Sequence, residues 1–268
     1  MKIVDFTANH IEAAASIAKR NYAAARKHVP ALPLVDLWPD LTDFAQNGLG
    51  VTAFEGGEMV GFLCGYGPFE NTFGIPRLRS VFSPIHANGT KLENQEKIYA
   101  RLYQAAGEKW ARAGAASHAI CLYAHDEAAQ EQFFRYGFGL RCVDAIRGME
   151  EIIAPPCEAC EFEELSQDEY ISVFPLHQML NQHQRESPFF MDRKPSTPES
   201  FINSYQKHGS RFFAAKYGGK ICAYAKILRA GETFIVDNSD YIHVGGAFCL
   251  PEHRGQGVYS NLLILIPR

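Results

Sequence analysis

The stretch FCLPEHRGQGVYSNLL (Phe248–Leu263) passes from an apolar strand-like run, through a glycine-bearing turn, into an apolar helical run. Gly255 and Gly257 allow successive backbone N–H groups to turn inward with no Cβ in the way. A helix that starts right after such a turn adds unsatisfied N–H groups and a partial positive charge. Strand, turn and helix in that order make a site for a phosphate or pyrophosphate. An ordinary glycine-rich strand-to-helix turn has the same sequence. The pattern GxxxxGK[ST] is absent, and the third glycine of a dinucleotide fingerprint is missing.

The segment before this turn has an echo early in the chain. GVTAFEGGEMVGFLCGY (Gly50–Tyr66) and FFAAKYGGKICAYAKIL (Phe212–Leu228) each read as an apolar run, a Gly-Gly pair and a second apolar run. Gly56-Gly57 and Gly218-Gly219 supply the positive φ of a tight hairpin turn. Ahead of the first hairpin, KIVDF reads as a strand and TANHIEAAASIAKRNYAAARKH as a helix, with Thr7 or Asn9 as cap. Ahead of the second, CEFEEL reads as a strand leading into SQDEYISVFPLHQMLNQHQRE. There Ser166 and Glu169 have capping-box spacing, and Pro175 kinks or splits the helix. RSVFSP and YIHVGGAFCLP supply the strand after each hairpin. The order strand, helical region, hairpin, strand thus occurs twice. It predicts two α/β domains with mixed sheets (an α+β mixture), at 1–152 and 158–268, separated near Pro155-Pro156.

The first half then continues. NQEKIYARLYQAAGEKWARAG carries a helical stripe of Ile98, Leu102, Tyr103, Ala106 and Trp110. HAICLYA reads as a strand, DEAAQEQFFRYG as a helix and GLRCVDAIRGM as a strand. Asn88-Gly89 reads as a turn.

Bulk properties narrow the classes. The 268 residues carry 26 Lys and Arg against 30 Asp and Glu, and no basic stripe, so no nucleic-acid partner is expected. No apolar run reaches the ~20 residues of a membrane span, and Asp5 and His10 interrupt the N-terminal segment, so a soluble cytoplasmic protein is expected. The seven cysteines are scattered and mostly in apolar runs, as buried free thiols are. Cys157 and Cys160 form the one pair with metal-like spacing. No second CxxC or HxxxH answers them, so no metal is expected. His177 and His183 stand six apart, on different faces of a helix.

FCLPEHRGQGVYSNLL resembles the acyl-CoA-binding motif of the GNAT-type N-acetyltransferases, [R/Q]-x-x-G-x-[G/A] between a strand and a helix. Arg254 and Gly257 match; Tyr259 stands where glycine or alanine is usual. The repeated element order resembles the same fold in tandem, and DEAAQEQFFRYGFGLR resembles the family's later helix with its -x-GF turn. The resemblance implies that acetyl-CoA donates an acetyl group to a primary amine of a small substrate, with no metal and no covalent enzyme intermediate. It implies that Ala247, Phe248 and Cys249 hold the pantetheine arm. Arg254, Gly255, Gln256, Gly257, Val258, Tyr259 and Ser260 take the pyrophosphate.

The chain departs from the family in both halves. The first lacks RxxGxG, carries Glu93 near the equivalent turn, and has Phe133 where the acid tyrosine stands, with Tyr136 offset. It is expected to bind no acyl-CoA and to be structural. In the second half only 17 residues follow Pro251, too few for the family's next strand and helix, so that domain reads as incomplete. LLILIPR reads as an apolar helix stub ended by Pro267, with an edge open to a homodimer partner. His243 and Asp240 are the nearest candidates for a base, and Glu186 and Asp192 for lining a substrate cleft; the catalytic residues stay unassigned. The alternative function is an inactive remnant of the fold that acts as a binding or interaction module.

Overall fold

A computed structural model describes residues 1–188, 191–192, 194–207, 209–228 and 241–266. The chain divides into two compact units, Met1–Arg147 and Gly148–Arg268, each a mixture of helices and sheet.

In the first unit, β1 (Lys2–Asp5) leads through a short 3-10 turn to α1 (Ile11–His28) and α2 (Thr42–Gln46). The hairpin β2 (Val51–Glu55) and β3 (Glu58–Leu63) closes on Gly56 and Gly57, at φ 57° and 87°, as the Gly-Gly pair predicts. β4 (Tyr66–Phe69) continues β3, and β5 (Ser80–Ser83) is followed by β6 (Asn88–Thr90). Then come α3 (Gln95–Arg112), β7 (Ser117–Ile120) and α4 (Glu127–Arg135). One sheet has the order β1-β2-β3-β6, all antiparallel; a second has the order β4-β5-β7, with β5 and β7 parallel.

Alternation along the strands sends apolar side chains to both faces. Val51, Ala53, Val60 and Leu63 pack with Ile98, Leu102, Ala106 and Trp110 of α3, while Phe62 and Met59 pack with Ala14 and Ile17 of α1. α3 can seat closely because Gly61 lacks a side chain: a Cβ there would lie 2.8 Å from Ile98.

Two expectations for this unit need correction. Asn88-Gly89 is strand, not turn. Gly89 faces α1, and a Cβ would press on Ile17 and Asn21 at 3.2 Å, so its role is close packing. The turn lies just before, at Pro84–Ala87, where Ala87 N–H donates to Pro84 C=O; it separates β5 from β6. The expected α3 stripe packs in the core, with Tyr103 half-buried against it, and Tyr99, outside that expected set, is buried as well. Residues 139–149 carry no strand. Polar and charged residues there interrupt the apolar alternation that a covered strand requires.

The second unit opens with the turn Cys157–Cys160 and β8 (Glu161–Glu164). A 3-10 helix, Gln167–Val173, precedes α5 (Phe174–Glu186). The Ser166–Glu169 capping box forms as its spacing predicts, with Ser166 N–H donating to the Glu169 carboxylate at 2.9 Å. Pro175 falls in the first turn of α5, where its missing N–H costs nothing, so it splits the helical region rather than kinking one helix. α6 (Pro198–Lys207) leads to the hairpin β9 (Arg211–Tyr217) and β10 (Lys220–Leu228), closed on Gly218 and Gly219. β11 (His243–Cys249), a 3-10 turn at Pro251–His253 and α7 (Val258–Leu265) follow. The sheet order is β8-β9-β10-β11, entirely antiparallel, so β11 is an edge strand among the described residues. One face packs Phe212, Ala214 and Tyr224 against Phe201 and Val173; the other packs Phe213, Ala223 and Ile227 against Val258 and Leu262 of α7. Pro267 and Asp240 lie outside the described residues.

Candidate acyl-CoA site

The site is built where β11 ends. Leu250 N–H donates to Cys222 C=O across the ladder at 2.9 Å. Main-chain groups alternate along an antiparallel strand. Those of Phe248 therefore point toward β10, and those of Ala247 and Cys249 point out from the sheet edge. Arg254 agrees with this: its Nε donates to the outward Cys249 C=O at 2.9 Å, and its guanidinium lies over the Phe248 ring at 5.4 Å. The arginine thus ties the turn back to the strand. The ring of Phe248 is buried in the core face shared with Tyr224 and Phe212.

Beyond Arg254 the chain takes two left-handed steps, Gly255 at φ 74° and Gly257 at φ 78°, and Gly257 is the N-cap of α7. Among the described residues, a Cβ on Gly255 would meet nothing within 4 Å, so the turn is open on that side. Gln256 Nε2 donates to Glu252 C=O at 2.9 Å, and Asn261 Nδ2 donates to Gly257 C=O at 3.0 Å. Among the described residues, the backbone N–H groups of Gly255 through Ser260 donate to no protein acceptor. Val258 is buried beneath the turn and anchors it, Ser260 is half-buried, and Tyr259 projects outward, 38% exposed. Two features were not read from the sequence. The β10–β11 register slips at Gly245, a bulge signalled by the Gly245-Gly246 pair. Asn261 also donates to Pro155 C=O at 2.9 Å, and nothing in its sequence context signals that.

Residues 176–266 match the model of the acetyltransferase (GNAT) family. The second unit carries a GNAT acetyltransferase domain. The match covers the hairpin, β11, the turn and α7 of that domain. Solved structures resemble the chain more distantly. A crystal structure of a Thermus thermophilus protein is 19% identical, covering 56% of this chain and 99% of its own, with a TM-score of 0.40. A GCN5-related N-acetyltransferase from Kribbella flavida is 12% identical, covering 97% of this chain and 60% of its own, with a TM-score of 0.42. An aminoglycoside N-acetyltransferase in complex with CoA is 16% identical, covering 41% of this chain and 68% of its own, with a TM-score of 0.30. No curated protein matches the sequence.

The GNAT domain brings few of the expected acid–base candidates to this edge. His243 starts β11, four residues before Ala247, about 13 Å along an extended strand. Glu186 accepts from Gln182 at the end of α5, and Asp192 pairs with Arg185 at 3.1 Å; both are exposed. Among the described residues no group of three or more His, Cys, Asp or Glu is arranged to hold a metal ion, and no helix is long and apolar enough to cross a membrane.

The equivalent place in the first unit is arranged differently. β5 and β7 run parallel as far as Ser83 and Ile120, and then the chain after β5 turns away at Pro84. Asn88 fills the gap: its Nδ2 donates to Ser83 Oγ at 3.2 Å, Pro84 C=O at 3.1 Å and Cys121 C=O at 3.1 Å. Tyr99 Oη donates to Asn88 Oδ1 at 3.1 Å from beneath. Asn94 enters α3 from a left-handed conformation without a side-chain cap, and Glu93 is exposed beside it. Phe133 is buried in the core, and Tyr136 donates to Ala100 C=O at 3.3 Å.

Proposed function

We propose that the second unit binds acetyl-CoA along the outer edge of β11 and in the turn that follows, and passes the acetyl group to a primary amine of a small substrate. The observation that carries this reading is the turn itself. Two left-handed glycines and a helix N-cap leave a run of backbone N–H groups without acceptors among the described residues, directly after the strand at the edge of the described sheet. Such a run suits a pyrophosphate. In this reading Gly255 to Ser260 take the pyrophosphate, Arg254 fixes the turn, and the outward main chain of Ala247 and Cys249 accompanies the pantetheine arm. Phe248 contributes its buried ring as the anchor of the strand. The bulge at Gly245 takes a main-chain group out of the ladder, where an N–H can polarise the thioester carbonyl. The amine nitrogen attacks that carbonyl carbon, the C–S bond breaks, and the CoA thiolate takes up a proton as the amine loses one.

The first unit, in the same reading, is a tandem copy of the fold that binds no acyl-CoA and has a structural role. The Asn88 bridge supports this, because it occupies the space between strands that a pantetheine arm would need.

A second reading is a GNAT-fold binding module without catalysis. It is favoured by Glu186 and Asp192, both engaged on the surface of their own segment. Calorimetric titration with acetyl-CoA and CoA, followed by an amine-acceptor screen that detects free thiol, separates the two. Binding with thiol release supports the enzyme, and binding without release supports the module. No heat at millimolar ligand refutes a working acyl-CoA site and leaves the interaction module.

A further inference from the structure

The paired cysteines Cys157 and Cys160 take no part in the proposed acyl-CoA site, yet the fold gives them a third neighbour. Cys160 Sγ lies 3.9 Å from Cys222 Sγ, across 62 residues of chain. A bulge makes this possible. The β9–β10 register slips between Ile221 and Ala223, so Cys222 is the extra residue. In such a bulge two successive side chains share one face. Cys222 therefore joins Ala223, Ala225 and Ile227 on the face that packs with Cys157 and Cys160, rather than alternating to the other. The turn Cys157–Cys160 is closed by Cys160 N–H donating to Cys157 C=O at 3.3 Å, which keeps the two thiols near each other. Cys160 thus neighbours both other cysteines: Cys157 and Cys160 are half-buried, and Cys222 is only 2% exposed.

We propose that Cys157, Cys160 and Cys222 are a thiol relay that peroxide oxidises to a buried Cys160–Cys222 disulfide. Hydrogen peroxide oxidises the Cys157 thiolate to a sulfenic acid and leaves as hydroxide. Cys160 sulfur attacks the Cys157 sulfur, the S–O bond breaks, hydroxide leaves and takes up the thiol proton as water, and a Cys157–Cys160 disulfide forms. Cys222, giving up its proton, attacks Cys160 sulfur. Cys157 leaves as a thiolate and recovers a proton. One peroxide and two thiols become one disulfide and two waters. Burial, with the neighbouring Cys222 and Cys157 thiols, pushes Cys160 up to about 12, and burial raises Cys222 too. Neither makes a ready first target, since the thiolate is the nucleophile. This leaves Cys157 as the point of entry. Closing 3.9 Å to the ~2.05 Å of a disulfide falls to the turn, because Cys222 is held in a central strand.

The test treats the full chain with hydrogen peroxide, caps free thiols with iodoacetamide and maps linked peptides by mass spectrometry without reduction. A Cys160–Cys222 linkage that dithiothreitol reverses is expected. Cys157→Ser, at a half-buried position, is expected to slow its formation at least tenfold, and Cys222→Ala to halt oxidation at Cys157–Cys160. Recovery of Cys160 and Cys222 as alkylated thiols would overturn the proposal. So would a Cys160–Cys222 linkage forming at an unchanged rate in Cys157→Ser. The readout does not depend on acetyl-CoA binding.

Discussion

Gly257 carries two demands at one position: a left-handed φ of 78° and the N-cap of α7. Any Cβ there meets about 1–2 kcal/mol of backbone strain. Aspartate adds a carboxylate that takes the very N–H groups a pyrophosphate would use. Gly257→Asp is therefore expected to weaken acetyl-CoA binding at least a hundredfold by calorimetry, with only modest loss of thermal stability. Unchanged affinity would move the pyrophosphate elsewhere. His86 makes a different residue-scale case. Burial in the Pro84–Ala87 turn, against Phe44, pushes its pKa down to about 4 from 6.5. Between those values the unfolded chain binds a proton that the folded chain refuses. Stability is thus full above about pH 6.5 and falls as pH drops toward 4, by up to about 3 kcal/mol. Urea midpoints for the first unit at pH 7.5 and 4.5 should differ, and His86→Gln should shrink the difference.

Among elements, the break between β5 and β6 in the first unit depends on one side chain. Asn88→Ala removes the donor shared by Ser83, Pro84 and Cys121 and leaves the Tyr99 hydroxyl without its acceptor. Unpartnered buried groups of this kind cost about 1–3 kcal/mol. A fall in the melting temperature of the first unit is expected by calorimetry; no change would show that water replaces the amide freely. Elements were legible where the signal was local. The two Gly-Gly hairpins, the Ser166–Glu169 capping box and the helix over α3 follow from residues a few positions apart. They were illegible where a distant partner decides. Asn88-Gly89 has turn composition, but α1 packs on Gly89 and Tyr99 on Asn88, and those contacts make it strand. The Arg254 and Gly257 turn was visible as a pattern; the outward alternation of Ala247 and Cys249 needed the ladder register.

At the scale of the whole chain, residues 139–156 carry no regular element and span the boundary between the two units. Ile153 is 93% exposed there. Exposed backbone outside helices and strands is where proteases cut first. Limited trypsin digestion is expected to cut at Arg141 or Arg147 and yield two resistant fragments. Earlier cuts inside α3 or β9–β10, at Lys97, Arg101, Lys109, Lys216 or Lys220, would contradict that division. Added acetyl-CoA is expected to protect the C-terminal fragment alone.

The strand orders also bear on the speed of folding. In the second unit every described strand pairs with its neighbour in sequence, whereas in the first β3 reaches past two strands to β6, and β5 waits for β7 beyond α3. Pairings that close longer loops are slower to find, because the ends must meet before any contact rewards them. After dilution from denaturant, the meander with its acyl-CoA turn should regain structure ahead of the first unit. Pulse-labelled amide exchange would register protection in β9 and β10 before β5 and β7. A chain emerging N-terminus first would then have its slower half made first, with the synthesis of the second half as time in which to fold.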